Sequence, residues 1–145
     1  MCADILDSYR RSGFGLGLAK FIALVSEQGP LTPAYLDRPD PDPAAFGLPN
    51  VDDGTRNDPL MANMATIPVW GPDLDALRTA SCRVVLAVGA DSGETMAARA
   101  PRAIAAALGV EPVVFPGDHT GFAGGELGQV GKPAEFAATL REVLA

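Results

Sequence analysis

The chain has 145 residues, with 18 acidic and 11 basic side chains, a net charge of −7 and 48% apolar residues. That length fits one ordinary domain, which buries roughly 70% of its unfolded surface. The negative balance argues against nucleic acid or an anionic membrane as partner, and the single histidine, His119, excludes a multi-histidine metal site.

The first residues carry Asp4 and Asp7 and no basic-then-apolar leader pattern. The apolar runs fall far short of the roughly 20 residues that span a bilayer. Cys2 and Cys82 stand apart without a C-x-x-C spacing, so both read as unpaired thiols. The expectation is a cytoplasmic protein with no membrane segment, no metal and no cofactor.

From the amino terminus, Asp4 is expected to cap a short helix to about Arg11, broken at Ser12-Gly13. Leu18, Phe21, Ile22 and Val25 follow helical spacing and predict a second helix over about 16–27. Thr32-Pro33 is an N-cap followed by proline at N1. Nine of the 13 prolines lie between residues 30 and 72. Within that span, residues 39–57 read as an extended loop. Asp58-Pro59 reopens a short helix, Thr66 to Trp70 is a weak strand candidate interrupted by Pro68, and residues 72–78 form another short helix with Leu74 and Leu77 inward.

The second half changes character. Val84 to Val88 is a continuous apolar run closed by Gly89, which suggests a strand buried on both faces. Ala97 to Leu108 is helical in composition, with Gly109 as its C′ residue. Val113 to Phe115 makes a second strand, closed by Pro116-Gly117. Strand, helix and strand imply a right-handed crossover and a parallel pair. Both following loops then leave the carboxyl edge, where open α/β sheets place their sites. Asp91 is on the first loop and His119, between Gly117 and Gly121, on the second. A glycine-containing loop, 121–132, precedes a terminal helix opened by Pro133, with Phe136, Leu140 and Leu144 on one face.

Residues 83 to 144 resemble the carboxyl end of an α/β-hydrolase. Val84–Val88 with Gly89-Ala90-Asp91-Ser92 resembles that family's acid-bearing strand and turn. VVFPGDHTGF (113–122) resembles its last strand and histidine turn, and PAEFAATLREVL (133–144) its final helix. The irregular residues 1–78, with their Pro-rich loop 39–57, resemble a helical cap, and 79–145 the end of the core. The resemblance implies a partial parallel sheet of α/β class, His119 as general base and Asp91 as the carboxylate that orients it. Glu94 and Asp118 are the other nearby acids.

The G-x-S-x-G nucleophile elbow is absent around Ser8, Ser12, Ser26, Ser81 and Ser92. The expectation is therefore a carboxyl-terminal portion of an esterase-like enzyme. Its small-molecule substrate would be processed only by the complete enzyme, with the nucleophile upstream of Met1. The rival expectations are a non-catalytic interaction module, whose incomplete sheet is covered by a second copy or a partner chain, and a small enzyme using Ser12 or Ser92. Gly13-Phe14-Gly15-Leu16-Gly17 lacks the spacing and preceding strand of a dinucleotide loop. Trp70, Phe14, Phe21 and Met64 read as packing residues before pocket residues. Asp37, Asp40, Asp42, Asp52 and Asp53 read as a solvated loop rather than a cation site.

Overall fold

A computed structural model describes residues 1–126 and 129–145. The expected glycine-containing loop at 121–132 therefore lies partly outside the described residues. The chain divides into two compact units, Met1–Gly71 and Pro72–Ala145.

The first unit is built on α1, Cys2–Val25, whose backbone leaves helical geometry at Gly13 (φ 85°, ψ −174°). The break predicted at Ser12-Gly13 is thus present, and it divides α1 into two helical stretches. Asp4 lies in the first turn rather than at the cap, which is Met1. There its charge still complements the helix dipole. Ile5, Tyr9 and Leu24 are buried against Met61 and Met64, with Phe14, Leu18, Phe21, Leu31 and Tyr35 packed around them. Both methionines are fully buried. They sit on and just after the short α2, Pro59–Asn63, which starts as the sequence predicts: Asp58 Oδ1 accepts from Met61 N at 2.9 Å. The Tyr9 hydroxyl accepts from Asp58 N at 3.2 Å and fixes that cap against α1.

The glycines of α1 make room for the proline-rich loop. A Cβ on Gly15 would lie 1.9 Å from the Pro49 carbonyl oxygen, and one on Gly17 would lie 2.8 Å from Tyr9 Cβ. Gly15 is therefore a seat for other backbone, the close approach that only glycine permits, while Gly13 makes room for the Asp52 side chain and Gly17 for the side chains of Tyr9 and Met61. The loop itself is not featureless. It contains a 3-10 turn, Pro43–Phe46, capped by Asp42, and Asp52 holds Arg56 through paired contacts of 2.6 and 2.8 Å. Arg56 in turn donates to Arg10 O at 3.2 Å and stacks over the Tyr9 ring. Residues 67–69 form a 3-10 turn, not a strand, because Pro68 supplies no ladder donor.

The second unit holds a two-stranded parallel sheet, β1 (Ala87–Gly89) and β2 (Val113–Phe115), in register Ala87↔Val113, Val88↔Val114 and Gly89↔Phe115. The α3 helix, Leu74–Arg78, is capped by Asp73 and keeps Leu74 and Leu77 less exposed than their neighbours. The α4 helix, Met96–Leu108, packs on β1 and on α3. Gly109 closes it in the left-handed region, with Val110 N donating to Ala105 O at 3.0 Å. The α5 helix, Pro133–Leu144, lies against β2, its Phe136 ring 4.8 Å from Phe115. The arrangement is a loose α/β mixture.

Two expectations for this unit are corrected. The first strand is shorter than Val84–Val88, because β2 is bracketed by Pro112 and Pro116 and has few residues to offer it. Burial along the run also alternates, with Val88 buried and Val85 38% exposed, so the strand is not covered on both faces. The terminal helix turns Phe136 inward, but Leu144 is 72% exposed. Among the described residues no helix is long and apolar enough to cross a membrane.

Three outcomes follow for the first unit. Gly15→Ala should lower stability by about 1–3 kcal/mol through overpacking. Gly71→Ala, where a Cβ meets nothing within 4 Å, should stay within about 0.5 kcal/mol, both read by urea denaturation. Asp52 is lowered from 3.8 to about 2 by its bond from Arg56 and the backbone N–H of Gly54. A depressed folded-state value stabilises above the unfolded pKa and is lost as pH falls from about 4 through about 2. Asp52→Asn should flatten the acid limb of a stability–pH profile over that window.

Candidate functional site

The candidate site is the carboxyl edge of the parallel pair. The ladder continues past both strand ends: Ala90 N donates to Phe115 O at 2.8 Å and Asp91 N to Gly117 O at 2.9 Å. The loop bearing Asp91 is therefore zipped to the loop bearing His119. A third segment joins them. Lys132 N donates to Gly121 O at 2.7 Å and Gly131 N to Ala123 O at 3.0 Å.

Glycines let these three segments touch backbone to backbone. A Cβ on Gly89 would meet Ser92 Oγ at 2.6 Å and Asp118 O at 2.7 Å. One on Gly121 would meet Pro116 O at 2.3 Å, and one on Gly131 would meet Gly121 O at 2.5 Å. Gly117, at φ +85°, turns the chain back on itself so that its own Cα face lies against Gly121. The result is an edge joined backbone to backbone, with Asp91, Asp118 and His119 on its surface.

Asp91 does not face His119. Its Oδ2 lies 2.9 Å from Lys132 Nζ, with both side chains about half exposed. The Asp91 carboxylate raises the Lys132 ammonium above its usual range. Nor does Asp91 cap the next helix; Thr95 holds that position. Asp118 Oδ1 accepts from Thr120 N and Thr120 Oγ1, each at 2.7 Å, and these bonds hold its carboxyl below the usual range. Glu94 pairs with Arg102 at 2.9 Å. His119 is exposed, and among the described residues no hydrogen bond joins it to Asp91, Asp118 or Ser92. Ser92 is 5% exposed and lies behind Gly89.

Chemically, the edge presents an accessible imidazole and a carboxylate already neutralised by an ammonium. Among the described residues no carboxylate hydrogen-bonds the ring to fix its orientation or tautomer. Lys132 was not singled out from the sequence. Its only local signal is its place between Gly131, which seats against the histidine loop, and Pro133, which opens α5.

In the first unit, Met64 is buried in the core and Phe14 and Phe21 pack against it, whereas Trp70 is 75% exposed. The loop aspartates serve the loop: Asp42, Asp52 and Asp53 accept backbone N–H bonds two residues on. Asp40 joins Asp4 and Ser8 around Lys20 Nζ, at 2.7, 2.8 and 3.1 Å. Three acceptors saturate the three donors of that ammonium, so the cluster is structural. Among the described residues no three His, Cys, Asp or Glu side chains converge as a metal site.

Gly121→Ala should cost about 1–3 kcal/mol by wedging a methyl group into the Pro116 carbonyl. Thermal unfolding measures that cost, and the amide shifts of Gly117 and Lys132 should move with it in an NMR spectrum.

No family model, curated protein or solved structure matches the chain.

Proposed function

We propose that residues 72–145 form the acid-and-imidazole half of an α/β-hydrolase-type site acting on a carboxylic ester or similar small-molecule bond, with the serine supplied from outside this chain. The supporting observation is the joining of the Asp91 and His119 loops at the carboxyl edge of a parallel pair. In this reading His119 takes the serine proton as general base and returns it to the leaving alkoxide. Asp91 orients the ring once its carboxylate turns from Lys132. Both groups are surface side chains, and an exposed ion pair of this kind adds little to stability, so the exchange is cheap.

A second reading, a non-catalytic interaction module, is favoured by the same Asp91–Lys132 pair, which leaves His119 without an orienting acid.

The two readings part in one experiment. The chain is mixed with the amino-terminal half of an α/β-hydrolase that retains its serine elbow and lacks its own acid and histidine strands. The hydrolase reading expects p-nitrophenyl ester hydrolysis on mixing, reduced about 10³-fold or more by His119→Ala. It also expects no stoichiometric fluorophosphonate adduct on the chain alone. An adduct that depends on His119 would place the nucleophile within these residues. A folded mixture without hydrolysis would leave the interaction module.

A further inference from the structure

Asp53-Gly54 is the single Asp-Gly step of the chain, and the chain has no Asn-Gly. An Asp-Gly step can rearrange without an enzyme. The Gly54 nitrogen loses its proton and attacks Asp53 Cγ. The N–Cγ bond forms, the Cγ–OH bond of the neutral carboxyl breaks and water leaves. One water then opens the five-membered imide at either carbonyl. Opening at the former main-chain carbonyl gives isoaspartate, with the main chain rerouted through Cβ and Cγ and no net change in composition. Glycine favours the step because it puts no side chain beside the attacking nitrogen, and a Cβ at Gly54 would meet nothing within 4 Å. Residues 52–56 are all exposed.

The folded loop opposes each part of this reaction. The Gly54 N–H donates to Asp52 Oδ1 at 2.9 Å, so the attacking atom is held by a neighbouring carboxylate. That negative charge also disfavours an anionic nitrogen beside it. The Asp53 carboxylate is engaged as well, its Oδ1 accepting from Thr55 N at 2.8 Å. Bonds from the Thr55 backbone and side chain hold Asp53 below the usual carboxylate range, which makes the reactive neutral carboxyl scarcer. Nor is Asp52 free to swing away. Arg56 grips both of its oxygens, Nη1 to Oδ1 at 2.8 Å and Nη2 to Oδ2 at 2.6 Å. Arg56 is itself tied to α1 through Arg10 O and the Tyr9 ring. Gly13, at the break in α1, makes room for the same carboxylate: a Cβ there would lie 2.4 Å from Asp52 Oδ1.

We infer that Asp53-Gly54 is a latent site of aspartate isomerisation, and that the Asp52–Arg56 clamp on α1 is the guard that keeps the Gly54 nitrogen from closing on Asp53. Hydrogen bonds to a charged acceptor are among the stronger ones, and a reaction that runs only from the opened loop is slowed by the opening equilibrium. Isoaspartate at position 53 adds one carbon to the main chain between Asp52 and Gly54. That added length pulls the clamp off α1, so the modification undocks the loop that guarded against it. The inference does not rest on the hydrolase reading.

The test incubates the full chain at neutral pH and body temperature, both folded and in guanidinium. Isoaspartate at position 53 is quantified by electron-transfer fragmentation of the proteolytic peptide that carries it. The unfolded chain should isomerise there before any other aspartate, and the folded chain at least about tenfold more slowly. Arg56→Ala should recover most of that factor while its far-ultraviolet spectrum stays folded, and Asp52→Ala should do so if the arginine variant does not fold. An unfolded chain that isomerises elsewhere first overturns the inference. So does a folded parent as fast as the unfolded chain, or a folded variant that keeps the parent's rate. Asp52→Ala reacting more slowly than the parent overturns it too, because the carboxylate would then be taking the Gly54 proton rather than guarding it.

Discussion

Backbone packed directly on backbone, with no Cβ between, is the constraint on which each unit depends. In the first unit the Pro49 carbonyl seats on Gly15, which brings the proline-rich loop directly against α1. In the second, Gly89, Gly121 and Gly131 bring three loop segments to within contact at one edge of the sheet. Hydrogen bonds then have short distances to span. Asp91 N to Gly117 O and Lys132 N to Gly121 O are consequences of that approach as much as causes of it. Side-chain packing adds to this frame. Burial of a ring such as Phe115 contributes roughly 1.5–3 kcal/mol, and Phe136 of α5 supplies its cover.

Electrostatics play a local part. Among the described residues the acidic side chains do not gather into a metal site. The aspartates of residues 40–58 are spent on turns, caps and single ion pairs: Asp42 and Asp58 open short helical turns, Asp52 braces Arg56, and Asp40 helps hold Lys20. Asparagine and aspartate favour these roles because their short side chains reach backbone donors two or three residues ahead. A loop rich in proline and aspartate is thereby given shape without regular secondary structure.

Much of this was legible in the sequence because it depends on local chemistry. Gly13 breaks α1, Asp58-Pro59 starts α2, Gly109 ends α4, and Val113–Phe115 is a strand between two prolines. These signals lie within a few residues of their effect. The length of β1 was not legible, because it is limited by Pro112 and Pro116 on another segment. The burial of Val85 was misjudged for a related reason: an apolar run reports what a strand tolerates, not how many neighbours it has. The Asp91–Lys132 pair joins residues far apart in the chain, and no periodicity points to it. The role of Gly15 within the Gly13-Phe14-Gly15-Leu16-Gly17 repeat, a seat for the Pro49 carbonyl, was equally invisible until that segment was in place.

The exposure of Trp70 has a spectroscopic consequence. It is the single tryptophan of the chain, and three quarters of its surface already meets water. Its emission is therefore close to that of an indole in solvent before any denaturant is added, and loss of either core will change it little. The rings that do report on packing include Tyr9, Phe14, Phe21 and Tyr35 in the first unit and the Phe115–Phe136 pair in the second. Optical unfolding of this protein is thus better followed through its helices in the far ultraviolet than through its tryptophan.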